Sequence, residues 1–172
     1  LMATLHNLND IVAINTESNV IKKEVDVNKK VNGVLKKLKA QLDKNKATVI
    51  SEISDDVKIN VVPIYLQNIL TNLISNALKY KRPGVDPIIK LSLNYVQNYT
   101  VISIEDNGMG LDVKKYGNKL FGMYKTFHGN ADAKGLGLYI AKNQIEAMQG
   151  KISATSQVGV GSTFNVYFNE KN

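Results

Sequence analysis

The sequence predicts an α+β fold: a two-layer α/β sandwich whose mixed, mainly antiparallel sheet carries its helices on one face. Three observations lead there. Strand-like and helix-like stretches follow one another in the order strand, helix, strands, helix, strands, helix, strands. Two pairs of stretches with period two, 88–95 with 100–105 and 151–156 with 163–168, are each joined by a short turn. With 172 residues, 44% of them hydrophobic, the chain can bury the core of one domain and carry a short appendage.

Taken in order, Leu5, Leu8, Ile11 and Val12 recur at helical spacing, and this opening segment reads as the end of an amphipathic helix whose partner lies elsewhere. Ile21 to Val27 alternates as a strand, and Asn28 is the expected cap of a helix running to about Asn45. In that helix Val27, Val31, Val34, Leu35, Leu38 and Leu42 form an apolar face, with lysines between them. Thr48–Ile53 and Val57–Val61 read as strands flanking an acidic turn at Asp55-Asp56. Pro63 suits the first turn of a long helix that ends near Tyr80. Pro83, Gly84 and Pro87 then mark a loop before the strands Ile88–Tyr95 and Thr100–Glu105, which turn at Gln97-Asn98. From Leu111 to about Lys134 periodicity is lost, which predicts a long loop over a site. A helix from about Leu136 to Met148 stops at Gly150, and two last strands, Lys151–Ser156 and Thr163–Phe168, flank a Gly159–Gly161 turn.

Composition removes several classes of function. Without cysteine there is no disulfide framework, thiolate nucleophile or cysteine-based zinc site, and a reduced, cytoplasmic setting is expected. His6 and His128 are the only histidines, too few for a histidine metal cluster. No apolar run reaches the roughly 18–20 residues needed to span a bilayer. The start at Leu1 suggests a piece of a longer protein, whose membrane anchoring the sequence leaves open. The net charge of +7 gathers in Lys22, Lys23, Lys29, Lys30, Lys36, Lys37, Lys39, Lys44 and Lys46. No aromatic residues are interleaved there to stack on bases, so these lysines read as a solvated helix face and no nucleic-acid partner is expected.

Three segments carry chemistry. On the long helix, Asn72, Asn76, Lys79 and Tyr80 form one polar stripe beside an apolar stripe of Leu66, Ile69, Leu70, Leu73 and Ala77. Asparagine is a mediocre helix former, so two on one face invite an explanation. A carboxamide oxygen is a neutral hard ligand suited to Mg²⁺, which leans on substrate phosphates, and a lysine one turn away can face those phosphates. Alone, the stripe also fits a solvated face. Second, Asp106-Asn107-Gly108-Met109-Gly110 ends an apolar strand. A carboxylate there can accept from an adenine amino group, and glycines let backbone approach a base, although Asp-Asn-Gly is also a common turn. Third, Lys134-Gly135-Leu136-Gly137-Leu138 leads into a helix, where backbone N–H groups and the helix dipole favour an anion. Its late position and missing third glycine argue against a dinucleotide fold, and no Gly-Lys-Ser/Thr exists for a P-loop.

In this order the segments resemble the sequence boxes of sensor histidine kinase catalytic domains, of the GHKL or Bergerat ATPase superfamily. Asn72 to Tyr80 is similar to the N box, Asp106 to Gly110 to the first glycine box, and Leu120 to Tyr124 to the F box. Gly135 to Leu138 is similar to the second glycine box and Gly161 to Phe164 to the terminal one. The resemblance covers roughly 21–168. It implies a Bergerat fold with an ATP lid, ATP as substrate and Mg²⁺ as cofactor. It assigns catalytic roles to Asn72, Asn76 and Lys79, with Asn76 on the metal, Asn72 near the phosphates and Lys79 on phosphate. Tyr80 would pack on the adenosine and Asp106 would read the adenine amino group, with Gly108 and Gly110 shaping that pocket. Gly135, Leu136 and Gly137 would hold phosphates, Lys125 would add a phosphate contact, and Thr163 would support the adenine side. Phe121 and Tyr124 would tie the lid to the phosphoacceptor helices.

Two departures from the family pattern stand out. Ala133 occupies the first glycine position of the second glycine box. His6 lacks the acidic neighbour and following proline of a phosphoacceptor and reads instead as lying near the end of the dimerisation hairpin. The expected organisation is therefore residues 1–19 as the end of that hairpin and 20–172 as the catalytic domain, with the phosphoacceptor upstream. The implied partners are the protein's own dimerisation and phosphoacceptor domain, a response-regulator receiver domain, and a second copy in a full-length homodimer. Gyrase and Hsp90 relatives place a glutamate where Asn72 stands, as a general base. Asn72 takes no proton, which favours transfer of the γ-phosphoryl to a histidine over ATP hydrolysis. The alternatives are a GHKL-type ATPase and a nucleotide-binding module that no longer catalyses.

Overall fold

A computed structural model describes residues 21–122 and 136–169. The expected hairpin end at 1–19 with His6 lies outside the described residues, as do Tyr124, Lys125, His128, Ala133, Lys134 and Gly135.

The chain opens with strand β1 (Lys23–Asp26) and helix α1 (Val27–Lys44). The helix starts two residues earlier than expected, and its cap is Asp26, whose carboxylate accepts the Lys29 N–H at 2.8 Å. Asn28 does other work: its amide reaches the carbonyls of Ile53 and Ser54 at 3.1 and 3.0 Å and Asp55 Oδ1 at 3.1 Å, tying the acidic turn to the helix. Asp26→Ala should therefore lower stability by about 1 kcal/mol, the usual scale of a lost N-cap. A thermal melt followed by circular dichroism would read this as a fall of a few degrees.

β2 (Thr48–Ser51) and β3 (Lys58–Val61) flank the acidic turn but join different sheets. β3 pairs antiparallel with β1 in a separate two-stranded ribbon, and β2 runs parallel to β4 (Ile88–Val96) in the main sheet. The main sheet continues antiparallel through β5 (Tyr99–Asp106), β7 (Gly161–Asn169) and β6 (Lys151–Gln157), in the order β2-β4-β5-β7-β6. Helix α2 (Pro63–Lys79) begins with its proline at the first turn, where no N–H is missed. The segment expected as loop holds a short helix α3 (Val113–Tyr116), capped by Asp112, and a 3₁₀ turn at Gly117–Lys119. Helix α4 (Gly137–Ala147) follows.

Alternation along the strands decides which face is dry. Ile89 and Leu91 of β4, Ile102 and Ile104 of β5, and Phe164, Val166 and Phe168 of β7 are buried in one core with the helices. From the helices come Val31, Val34 and Leu38 of α1, Leu66, Ile69, Leu70, Leu73 and Ile74 of α2, and Ala141, Ile145 and Met148 near α4. The opposite sheet face is polar: Lys90 pairs with Glu52 at 2.8 Å, Ser103 bonds Asn165 at 2.7 Å, and Lys151 stands over the rings of Tyr99 and Tyr167 at 4.8 and 4.7 Å. α2 packs between α1 and α4, which leaves one half-buried edge, Asn72, Asn76, Lys79 and Tyr80, uncovered by the core. No helix among the described residues is long and apolar enough to cross a membrane.

Candidate nucleotide site

From Asn72 to Tyr80 the edge of α2 runs eight residues, about 12 Å at the helical rise. Each end of it meets a different glycine segment. At the Asn72 end, α4 begins so close that a Cβ on Gly137 would stand 3.3 Å from Asn72 Oδ1. A side chain there would push the amide aside. Leu136, whose hydrocarbon side chain is buried and offers no cap, opens α4 through its backbone, its carbonyl accepting the Ile140 N–H at 2.9 Å. The N–H groups of the first α4 turn have no helical acceptor and lie at the positive end of the helix dipole, beside Asn72.

At the Tyr80 end, the backbone of α2 is stitched to the first glycine box. Tyr80 O accepts the Met109 N–H at 2.9 Å, and a Cβ on Gly108 would lie 2.6 Å from that oxygen and 2.7 Å from Asp106 Oδ1. Glycine is the residue that lets the two segments meet. Gly110, at φ +66°, passes against the carbonyl of Gln157, so the same box is sewn to the β6–β7 turn. Ser156 Oγ completes this seam: it accepts the Leu111 N–H at 2.7 Å and donates to Gly161 O at 2.9 Å.

Asp106 ends β5 on the helix-facing side of the sheet, level with Ser162. Gly108 N–H donates to its Oδ1 at 2.8 Å. Burial pushes the Asp106 carboxyl above the usual carboxylate range, the backbone N–H groups of Gly108 and Ser162 pull it partly back, and Glu105 adds a small upward push. Burial likewise raises the Tyr80 phenol, and Lys79 Nζ lies 5.8 Å from the Tyr80 ring centre. Asn72 and Asn76 stand half-buried on α2. Asn45 and Asn143 bond their own helix at 2.8 and 2.7 Å, whereas no side-chain hydrogen bond holds Asn72 or Asn76 among the described residues. Two half-buried carboxamides are thus available to a ligand. No group of three His, Cys, Asp or Glu side chains that could cage a metal occurs among the described residues. The Asn76 carboxamide is a neutral oxygen donor, of the kind that fits Mg²⁺ beside water and phosphate oxygens.

The structure brings Asn72, Asn76, Lys79, Tyr80, Asp106, Gly108, Gly110, Leu136 and Gly137 to one side of the helical layer. Thr163 is the exception. It pairs with Glu105 and Thr155 on the polar face of the sheet, because side chains alternate along β7 and Phe164 points into the core. The residue that faces the site is Ser162, opposite Asp106, with its Oγ 2.8 Å from Ser156 Oγ. Counting back two residues from the apolar Phe164 would have found it. Phe121 packs half-buried against the core beside buried Leu120. Sequence reasoning also passed over Arg82, which bonds Asn107 O and Gly159 O.

A sheet with helices on one face, and an asparagine-bearing helix set between two glycine segments, point to the class of nucleotide-binding domains. The chain belongs to the family of histidine kinase-, DNA gyrase B- and HSP90-like ATPases, whose model matches residues 61–172. Within it, this is the ATP-binding catalytic domain of the sensor histidine kinases. Sensor protein RprX of Bacteroides fragilis (strain YCH46) is 30% identical over 146 residues, 83% of this chain and 28% of its own length. Sensor protein kinase WalK of Staphylococcus haemolyticus (strain JCSC1435) is 28% identical over 169 residues, 95% of this chain and 27% of its own. The chain thus spans under a third of these relatives. Among solved structures, the Acinetobacter baumannii histidine kinase AdeS superposes with a TM-score of 0.79 at 23% identity, over 98% of this chain and 77% of that one. Full-length ShkA, solved in complex with AMPPNP, gives 0.79 at 20% identity, over 96% of this chain and 35% of that one.

Proposed function

We propose that this domain binds Mg-ATP along the half-buried polar edge of α2 and delivers the γ-phosphoryl group to a histidine outside residues 1–172, for relay to an aspartate of a response-regulator receiver domain. One observation carries the reading: the carboxamides of Asn72 and Asn76, held by no side-chain hydrogen bond among the described residues, lie between the start of α4 and the Asp106 pocket, in a strip about 12 Å long.

Each end of that strip has its own chemistry. Asp106, at the end of a buried strand, accepts from an exocyclic amino group, and Gly108 keeps the backbone low enough for a flat base to lie against it. Tyr80, half-buried beside it, covers the nucleoside. Asn76 supplies a neutral oxygen to Mg²⁺, and Lys79 faces the phosphates from the next turn. The first N–H groups of α4, beginning at Gly137, hold the terminal phosphates by dipole and hydrogen bond. Gly135 and Lys125, outside the described residues, keep the phosphate roles that the family resemblance implies. Bound Mg²⁺ would neutralise charge on the phosphates. The residues here position and neutralise, and Asn72, having no proton-accepting carboxylate, activates neither water nor hydroxyl. A neutral imidazole needs no such base. In the full-length homodimer the protein's own dimerisation helices present that imidazole. The expected domain division, 1–19 as hairpin end and 20–172 as catalytic domain, is part of this proposal.

Titration calorimetry of the chain with ATP should show binding that weakens when Mg²⁺ is chelated. Incubation with γ-labelled ATP should leave the chain itself unlabelled, and a separately supplied phosphoacceptor hairpin should take the label. Absence of any heat with Mg-ATP would sink the nucleotide reading, and brisk ATP hydrolysis by the chain alone would favour a gyrase-type ATPase instead.

A further inference from the structure

Arg82 is the chain's only arginine among 22 basic residues, and it stands just past the end of α2. Its Nε donates to Asn107 O at 2.9 Å and its Nη1 to Gly159 O at 2.7 Å. Those two carbonyls lie in different segments, the first glycine box and the β6–β7 turn. The circuit closes through the backbone: Gly159 N–H donates to Met109 O at 2.7 Å, and Met109 N–H donates to Tyr80 O at 2.9 Å, two residues before Arg82. Asn107 is held from its other side as well, with its side chain accepting the Ile88 N–H at 2.8 Å and donating to Asp86 O at 3.1 Å. The segment from Asp106 to Gly110 is thus enclosed by a ring of hydrogen bonds that has one side chain as its joint. A guanidinium suits that joint because its planar fork can send two donors in fixed directions at once, whereas an ammonium is a single point of donation.

We propose that Arg82 is a positioning residue for the nucleoside end of the site: it clamps the β6–β7 turn onto the first glycine box and so sets the height and angle of Asp106 and Gly108 beneath the base. The proposal rests on the nucleotide reading above. It touches neither the base nor the phosphates, and it acts only through the backbone it holds. Without Arg82 the Gly159–Met109 bond remains, but among the described residues no other side chain joins the Asn107 carbonyl to the Gly159 carbonyl.

The test compares wild type, Arg82→Lys and Arg82→Ala by two measurements, Mg-ATP affinity by calorimetry and amide hydrogen exchange by NMR. In Arg82→Ala, affinity should fall about tenfold, the scale of two hydrogen bonds lost from a preorganised site. The Met109 and Gly159 amides should exchange faster while core amides of β5 and β7, such as Ile102 and Val166, keep their rates. Arg82→Lys should recover little, and millimolar guanidinium chloride should partly restore ATP binding to Arg82→Ala. ATP affinity within twofold of wild type would overturn the proposal. So would faster exchange throughout the core, which would make Arg82 a general stabiliser rather than a positioner. A wild-type chain that binds no Mg-ATP would instead overturn the nucleotide reading, and the exchange pattern would still report on the clamp.

Discussion

Asn76→Ala should abolish Mg²⁺-dependent ATP binding while leaving the protein at least as stable as before. The two expectations have separate causes. Asn76 sits in the last turn of α2, half-buried and with no side-chain hydrogen bond among the described residues, so its removal breaks no side-chain hydrogen bond there. Alanine is also the better helix former, by roughly 0.6 kcal/mol in a helix interior. The melting temperature should therefore hold or rise slightly. Binding should move the other way. Removing an outer-shell partner of a metal ligand costs 10–100-fold in affinity, so losing the ligand itself should cost about 100-fold or more. Calorimetry with Mg-ATP, repeated with the metal chelated, separates the effects: the variant and the wild type should differ with the metal present and converge without it. Equal Mg-ATP affinities would remove Asn76 from the metal site.

Asp106→Asn should do comparable damage at the other end of the strip. The carboxylate is replaced by an amide that can still accept from the Gly108 and Ser162 N–H groups, so the local fold is retained. The charge-assisted hydrogen bond proposed to the adenine amino group would be lost, worth about 1.5–3 kcal/mol, or roughly 10- to 150-fold in affinity. The direction of the pKa shift adds a pH signature. Burial raises Asp106 above its ordinary range, so its ionised form is the one the fold penalises. Stability contributed by this group is fully present below the unfolded-state pKa and is lost as pH rises through the folded one. At neutral pH the wild type carries that cost and Asp106→Asn does not, so the variant should melt no lower than wild type there, and its relative advantage should shrink on acidification. ATP binding by the wild type should weaken, as pH falls, sooner than an ordinary aspartate would dictate. A variant that melts well below wild type at neutral pH, or binds ATP unchanged, would contradict this account.

Elements with strong local periodicity were readable from the chain alone. α2 declares itself through Pro63 at its start and the recurrence of Leu66, Ile69, Leu70 and Leu73, and its observed span ends at Lys79 as expected. The hairpin of β4 and β5, the turn at 97–98 and the last two strands also lie within a residue or two of their expected bounds. The polar stripe from Asn72 to Tyr80 was visible for the same reason, since positions four, seven and eight apart must share a helix face. Less legible were features in which a short side chain had a choice of partners. Asp26 and Asn28 are both good caps, and only the packing of the 53–55 turn against α1 gives Asn28 another task. Thr163 and Ser162 are chemically alike, and the strand's alternation, set by Phe164 in the core, sends one to each face.

The amino-acid order, through patterns that repeat over two to four residues, dictated the three long helices, most of the strands, their succession and the stripe of amides on α2. It did not say that β2 would leave β3 to lie parallel to β4, nor that Gly137 would come to rest against Asn72, 65 residues before it. Arg82 shows the reason most plainly: its two acceptors lie 25 and 77 residues along the chain. Such bonds obey no local period. They form because folding the sheet against the helices carries three distant segments to one place, where a single planar cation can join them.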